Sequence, residues 1–247
     1  MPVRSYDAVT FSVNKLFSRR WLAMASYTWS SLRGNYSGLI RTDSGQFWPN
    51  ILTEYDLVSM LGNRMGPLGS NRTNQIKAAG SYMLSLGDDV SLTPGFQLSA
   101  LSGVPANTWG KHPAYGNADG FLLARGMAGD LPWVVSLDLS AKLSWAIGGP
   151  YTLNFTVSVF NVLNSQAMIG ADQRYTFDYI VPMQGARCVA KNAITQKDPL
   201  TAIVADCPDL PYARTIDGLR VTPNLNYGRP TGYQIPISAR FGVALSF

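Results

Sequence analysis

One histidine, His112, and one glutamate, Glu54, are all that the 247-residue chain holds of the side chains most used in acid–base chemistry. A general base, a His-and-carboxylate metal site or a Ser-His pair needs such groups in number, so hydrolytic and metal-assisted reactions lack their ingredients. The sequence reads as a non-enzyme without a metal or cofactor. His112 sits in Gly110-Lys111-His112-Pro113 with no second nitrogen or thiolate ligand nearby. Asp172, Asp178, Asp206 and Asp209 lack the regular spacing of a calcium-binding loop. Cys188 and Cys207 share a stretch rich in Asp, Pro and Lys, which suits a local disulfide in an oxidising compartment; two free thiols are the alternative. Aromatic side chains offer the nearest thing to a binding site. Trp48 and Tyr55, Trp109 and Tyr115, and Tyr175 and Tyr179 occupy three loop-like stretches, where rings either grip a ligand at small entropic cost or pack the loops together.

Only 14% of the residues are charged and 46% are apolar, against roughly 25% charged in an ordinary soluble domain. That excludes a disordered or charge-stabilised chain. The net charge of +5 is spread evenly: residues 166–232 carry seven basic and six acidic side chains, so no nucleic-acid-binding stripe forms and no nucleic-acid partner is expected. The first residues, Met1-Pro2-Val3-Arg4-Ser5-Tyr6, contain no apolar core of a secretory signal, so an exported form is expected to begin further upstream.

The elements that position these residues alternate with period two. From Trp133 to Ile147, odd positions are all uncharged and mostly large, with Trp133 and Trp145 near the limits, whereas even positions carry Asp138, Lys142 and three serines. An apolar band between aromatic girdles, backed by a wet face, is the pattern of a membrane-spanning β-strand. The uncharged run from Leu143 to Ala171 is long enough for a helix, but Gly148-Gly149-Pro150 interrupts it and the alternation returns beyond. A soluble antiparallel sandwich also alternates. These runs, however, reach about 10 to 15 residues, where soluble strands average about 5 to 6 and tilted membrane strands need about 9 to 11.

The reading is all-β, with seven long strands near 6–16, 20–33, 74–87, 89–103, 132–147, 151–164 and 233–247. Long loops at 34–73, 104–131 and 165–232 alternate with tight turns, as in outer-membrane barrels with short periplasmic turns and long external loops. On this alternation Lys77, Asp138, Lys142 and Arg240 face the lumen, where they line a charged path, dock a plug or simply form a solvated, charge-balanced face. An odd count leaves two raw strand edges in lipid, at several kcal/mol per unsatisfied group. A piece of a larger barrel is therefore expected. The competing reading, an eighth strand at Tyr175–Val181, is cut short by Pro182.

Several motifs carry a family resemblance. They are Ala25-Ser26-Tyr27-Thr28-Trp29-Ser30-Ser31, Val159-Phe160-Asn161-Val162-Leu163-Asn164, Asn63-Arg64-Met65-Gly66-Pro67-Leu68, the run from Ala124 to Trp133, and Asn224-Leu225-Asn226-Tyr227-Gly228 with Ser238-Ala239-Arg240-Phe241-Gly242. Together they resemble the C-terminal barrel portion of TonB-dependent outer-membrane receptors, in the Oar-like (OmpA-related) branch. The resemblance implies a bacterial outer-membrane location and a barrel of about 22 strands, the rest of which, with a plug domain, lies outside this chain. It implies uptake of a scarce ligand driven through TonB; a passive pore or small structural barrel is the alternative, and an outer-membrane hydrolase ranks last. Phe241, Val243, Leu245 and the terminal Phe247 resemble the signal read by the barrel-assembly machinery.

Overall fold

The computed structural model describes residues 1–38, 41–42, 54–188 and 207–247. Fourteen strands are formed among them: β1 (Arg4–Ser18), β2 (Trp21–Gly34), β3 (Gly66–Pro67), β4 (Asn74–Tyr82), β5 (Leu84–Ser85), β6 (Val90–Leu101), β7 (Trp109–His112), β8 (Gly116–Phe121), β9 (Val134–Gly148), β10 (Tyr151–Phe160), β11 (Met168–Ala171), β12 (Arg174–Tyr179), β13 (Pro230–Tyr233) and β14 (Ser238–Ser246). The seven longest follow chain order across one antiparallel sheet, β1-β2-β4-β6-β9-β10-β14. No helix among the described residues is long and apolar enough to cross a membrane, which leaves crossing by strands open.

Register carries the period-two pattern across all seven strands. One row runs Ser12, Ser26, Lys77, Ser99, Ser136, and the next runs Met24, Ala79, Gln97, Asp138. Lys142 lies beside Thr93 and Thr156, and Arg240 beside Ser158. The opposite face reads Phe11, Tyr27, Ile76, Ala100, Val135 in one row and Leu92, Leu143, Phe155, Val243 in another. Large apolar side chains on this face stand open, with Phe11 67%, Val13 74% and Phe241 76% exposed. A contiguous apolar sheet face of this size has no place in water, and lipid is the medium that satisfies it. Lys15, a cation on this face, bends to the end of the band. Its Nζ donates to the carbonyls of Leu16, Ser18 and Trp21 and to the Ser18 hydroxyl, and lies 4.1 Å from the centroid of the Trp21 ring. Long cations at membrane boundaries snorkel in this manner.

The first hairpin is tighter than the sequence suggests. Ser18 pairs with Trp21, leaving Arg19 and Arg20 as a two-residue turn with φ of 50° and 68°. Both are left-handed, a conformation that costs a non-glycine residue roughly 1–2 kcal/mol and that such turns usually give to Asn and Gly. The turn after β9 uses glycine where it is needed, with Gly148 and Gly149 at φ 115° and 58°.

The last strand departs from the expected 233–247. Tyr233 belongs instead to β13, which pairs with β11 in a separate two-stranded sheet. Pro236 explains the break, because it brings no N–H to a ladder. β10 ends at Phe160 rather than 164, since Asn161 and Asn164 take φ of 50° and 47°. Their side chains join the two breaks: Asn161 Nδ2 donates to the carbonyls of Ser165 and Ile235, each at 2.8 Å, and Asn164 Oδ1 accepts the Ile237 N–H at 3.1 Å. The Phe160–Asn164 motif is thus a clamp that aims β14 back along β10.

Two expected loops carry structure of their own. β7 and β8, from the stretch between β6 and β9, pair antiparallel with each other, and β12, from the stretch between β10 and β14, pairs parallel with β7. Tyr175–Tyr179 therefore joins a small separate sheet, not an eighth strand of the long sheet. Among the described residues β1 and β14 each have one sheet neighbour, β2 and β10.

Candidate functional site

All three long connections converge at one end of the sheet and pack into a single cap. Its apolar centre comprises Leu122, Leu123, Tyr175, Ile180, Cys207, Leu210, Ala213 and Val221, from the second and third connections. The Asn63–Leu68 and Ala124–Trp133 motifs interlock there. Gly66 lies against the carbonyl of Arg125, and Gly126, at φ 77°, lies against the Pro67 ring, so a side chain at either glycine would collide. Asn63 ties all three connections together, its Nδ2 donating to the carbonyls of Phe121, Leu122 and Met183.

Beneath these motifs is an ion cluster that sequence spacing does not reveal. Glu54, Arg64 and Arg125 are each 1% exposed. Glu54 Oε1 lies 2.9 Å from Arg125 and 3.6 Å from Arg64. It also accepts the Ser37 hydroxyl, and Oε2 accepts the Ser37 backbone N–H. Burial by itself would raise the Glu54 carboxyl, but the Ser37 bonds and the Arg125 hydrogen bond and charge hold it below the ordinary value of 4.5. The Arg64 and Arg125 guanidiniums lie 5.1 and 4.9 Å from the Phe121 ring, within cation–π range. Glu54, the chain's one glutamate, is therefore a structural keystone, and its singularity was the only sequence signal for it.

The six aromatic candidates separate by position. Trp109 is buried and packs edge-on against Phe121, and Tyr175 is buried edge-on against Tyr227, so both rings are consumed in holding the cap. Tyr227 in turn meets the Thr108 hydroxyl at 2.5 Å, with burial pushing its own hydroxyl upward. Burial and the adjacent Glu54 charge raise the Tyr55 hydroxyl; its ring lies 6.2 Å from that of Tyr36. Tyr115 and Tyr179 remain exposed. Tyr115 donates to Asp56 and stacks on His112, and Lys111 Nζ lies 4.4 Å over the Tyr179 ring. Trp48 lies outside the described residues.

Beside Tyr115 opens a cavity of about 310 Å³, walled by Leu57, Met60, Phe121, Ile180 and Pro182, with Ser59 and His112 as its polar members. Ser59 Oγ is 3.1 Å from His112 Nε2, which resembles a nucleophile and its base. The other ring nitrogen decides otherwise. Nδ1 accepts the Ala114 N–H at 3.2 Å, so the proton of the neutral ring belongs on Nε2 and points at Ser59, which accepts and is not activated. No group of three potential metal ligands occurs among the described residues. Asp172 accepts the Arg174 N–H and the Asn224 amide, Asp178 accepts the Thr222 N–H, and Asp209 pairs with Arg187; Asp206 lies outside the described residues.

Cys188 and Cys207 are disulfide-bonded. Closing a loop of this separation contributes about 3 kcal/mol by chain entropy, and Arg187 with Asp209 fastens the same pair of segments from outside.

Lys77, Asp138, Lys142 and Arg240 share the polar face of the sheet. Asp138 Oδ1 accepts the Ser136 hydroxyl and the Asn161 N–H, which ties this face to the β10 clamp. The Arg240 guanidinium lies 5.5 Å from the Phe160 ring.

Over its whole length of 247 residues the chain is 37% identical to the TonB-dependent transporter Oar of Myxococcus xanthus. The chain is a relative of the TonB-dependent transporters. It spans about a quarter of the length of that curated relative, 23%. No family model and no solved structure matches it. With the apolar bands on one sheet face, the relationship places this all-β segment in the bacterial outer membrane.

Proposed function

We propose that the chain is part of an outer-membrane receptor that captures a scarce ligand on its external cap and admits it in a TonB-energised step. The observation that carries this reading is that Asn63 ties the three long connections together beside one packed core, at the end of a sheet with one polar face. A passive pore needs an open mouth; a receptor needs a rigid external surface. In this reading Tyr115, stacked on His112, and Tyr179, beneath Lys111, keep an exposed side near the 310 Å³ cavity. Lys77, Asp138, Lys142 and Arg240 line the lumen toward a plug domain. The remaining strands of the longer receptor pair with the outer edges of β1 and β14. The receptor purified from outer membranes and placed in a planar bilayer is expected to hold its current at baseline, because the plug fills the lumen. A steady open conductance would make it a passive pore and overturn the reading.

The end of the chain fits an assembly role. Phe241, Val243 and Leu245 lie on the lipid-facing side of β14, and Phe247 is 91% exposed with its ring 6.5 Å from that of Tyr151. Such a row is what a barrel-assembly machine meets when it receives the last strand. Deleting Phe247 is expected to lower the heat-modifiable receptor in the outer-membrane fraction while synthesis continues. An undiminished barrel band would show that Phe247 is only one more lipid-facing residue.

A further inference from the structure

The lipid-facing surface is not uniform. At the short-turn end of β2, β4 and β6 it sinks into a depression of about 580 Å³, floored by Ala23 and Gly80 and walled by Trp21, Tyr82, Phe96 and Leu139. The depression has a structural cause. Gly80 bears no side chain, and the Phe96 ring leans over it so closely that a Cβ there would sit 2.9 Å from the ring edge. Trp21 and Tyr82 are register partners at the end of their strands, and they form the rim.

Beyond that rim the chain turns through Arg19 and Arg20, both exposed and both held left-handed. A two-residue hairpin built for Asn-Gly carries two arginines instead, so charge was placed where backbone conformation argues against it. The Arg20 carbonyl accepts the Met83 N–H at 2.7 Å, while neither guanidinium pairs with a side chain among the described residues. Lys15 stands beside them over the Trp21 ring, at the level where the apolar band ends. The balancing acids at this end, Asp88 and Asp89, belong to the connection between β5 and β6, on the far flank. The β1–β2 flank is thus a basic rim joined directly to an apolar groove.

We propose that this groove and rim bind one anionic phospholipid of the periplasmic leaflet, of the phosphatidylglycerol class. The periplasmic side follows from the short turns. An acyl chain lies against Ala23 and Gly80 between the aromatic walls, and the phosphate meets Arg19 and Arg20, with Lys15 adding charge at the boundary. Basic clusters beside membrane-embedded surfaces attract anionic lipid in this way, with each cation near the surface adding to the preference. The site rests on the outer-membrane reading of the apolar face, and deepens it by naming a lipid held at one place.

Trp21 reports on the site directly. The receptor is placed in phosphatidylcholine vesicles carrying brominated phosphatidylglycerol or, at equal mole fraction, brominated phosphatidylcholine. The Trp21 signal is taken as the difference between the receptor and its Trp21→Phe variant, because the chain holds six tryptophans. Brominated phosphatidylglycerol is expected to compete for Trp21 about tenfold better than its neutral counterpart. The double variant Arg19→Gln, Arg20→Gln should lose that preference while both lipids still quench. Equal quenching by the two lipids in the unaltered receptor would overturn the lipid site and leave the membrane reading standing. Quenching by neither would overturn both. Should the double variant fail to insert, the comparison in the unaltered receptor decides alone.

Discussion

Replacing Glu54 with alanine is expected to destabilise the cap by about 3 to 5 kcal/mol, the cost of stripping one partner from a buried ion cluster. The carboxylate stands between Arg125 at 2.9 Å and Arg64 at 3.6 Å, and it also takes both hydrogen bonds offered by Ser37. Without it two guanidiniums stay buried beside Phe121, and the Ser37 backbone N–H loses its acceptor. Limited proteolysis of the external connections, or hydrogen exchange at Leu122 and Leu123, should show the cap opening while the long strands stay heat-modifiable. The same residue sets an acid limit. Its carboxyl is held below 4.5 in the folded cap, so its contribution is complete above that value and is lost as the pH falls through the lower, folded one. Glu54→Ala should remove this acid dependence as well as lower stability at neutral pH. A cap with unchanged exchange and an unchanged acid profile would show that the cluster contributes nothing net.

The barrel strands were legible because their signal is local. Period two is written into consecutive residues, and one lipid-facing surface repeats it from Val9 to Leu245. Where a strand was misplaced, the cause was also local but weaker than the pattern. Ile235 and Ile237 continue the alternation, yet Pro236 between them ends the ladder, so β14 begins at Ser238. The cap was illegible for a different reason. Glu54, Arg64 and Arg125 come from two separate connections, and no periodicity links them. For Trp109 and Tyr175 the sequence leaves ligand grip and loop packing both open, because spacing does not show whether the connections bury a core of their own; they do, and both rings are packed in the cap. The motifs that carry the family resemblance also take structural roles that the sequence reading does not assign. Asn63–Leu68 and Ala124–Trp133 are where the cap interlocks, and Phe160–Asn164 is where β10 is clamped to β14. What the sequence lacked was the pairing between motifs, which depends on tertiary contacts across 58 to 120 residues.

The cap, the lumen and the lipid groove all depend on which side of the sheet meets lipid, and neighbouring residues of β9 test that directly. Leu139 lies midway along the strand in the row Phe96, Leu139, Val159, Ala239, whereas Asp138 lies in the row of Met24, Ala79 and Gln97 on the other face. Leu139→Arg should cost about 2 to 4 kcal/mol of folding free energy in bilayers, because it places a guanidinium at the bilayer midplane. Asp138→Asn should cost little, since an amide oxygen can still accept from Ser136 and from the Asn161 N–H. Urea titration of the receptor and the two variants in vesicles measures both. A large loss for Leu139→Arg beside a small one for Asp138→Asn is the predicted result; equal losses, or the reverse order, would contradict the assignment of faces and with it the membrane-spanning account.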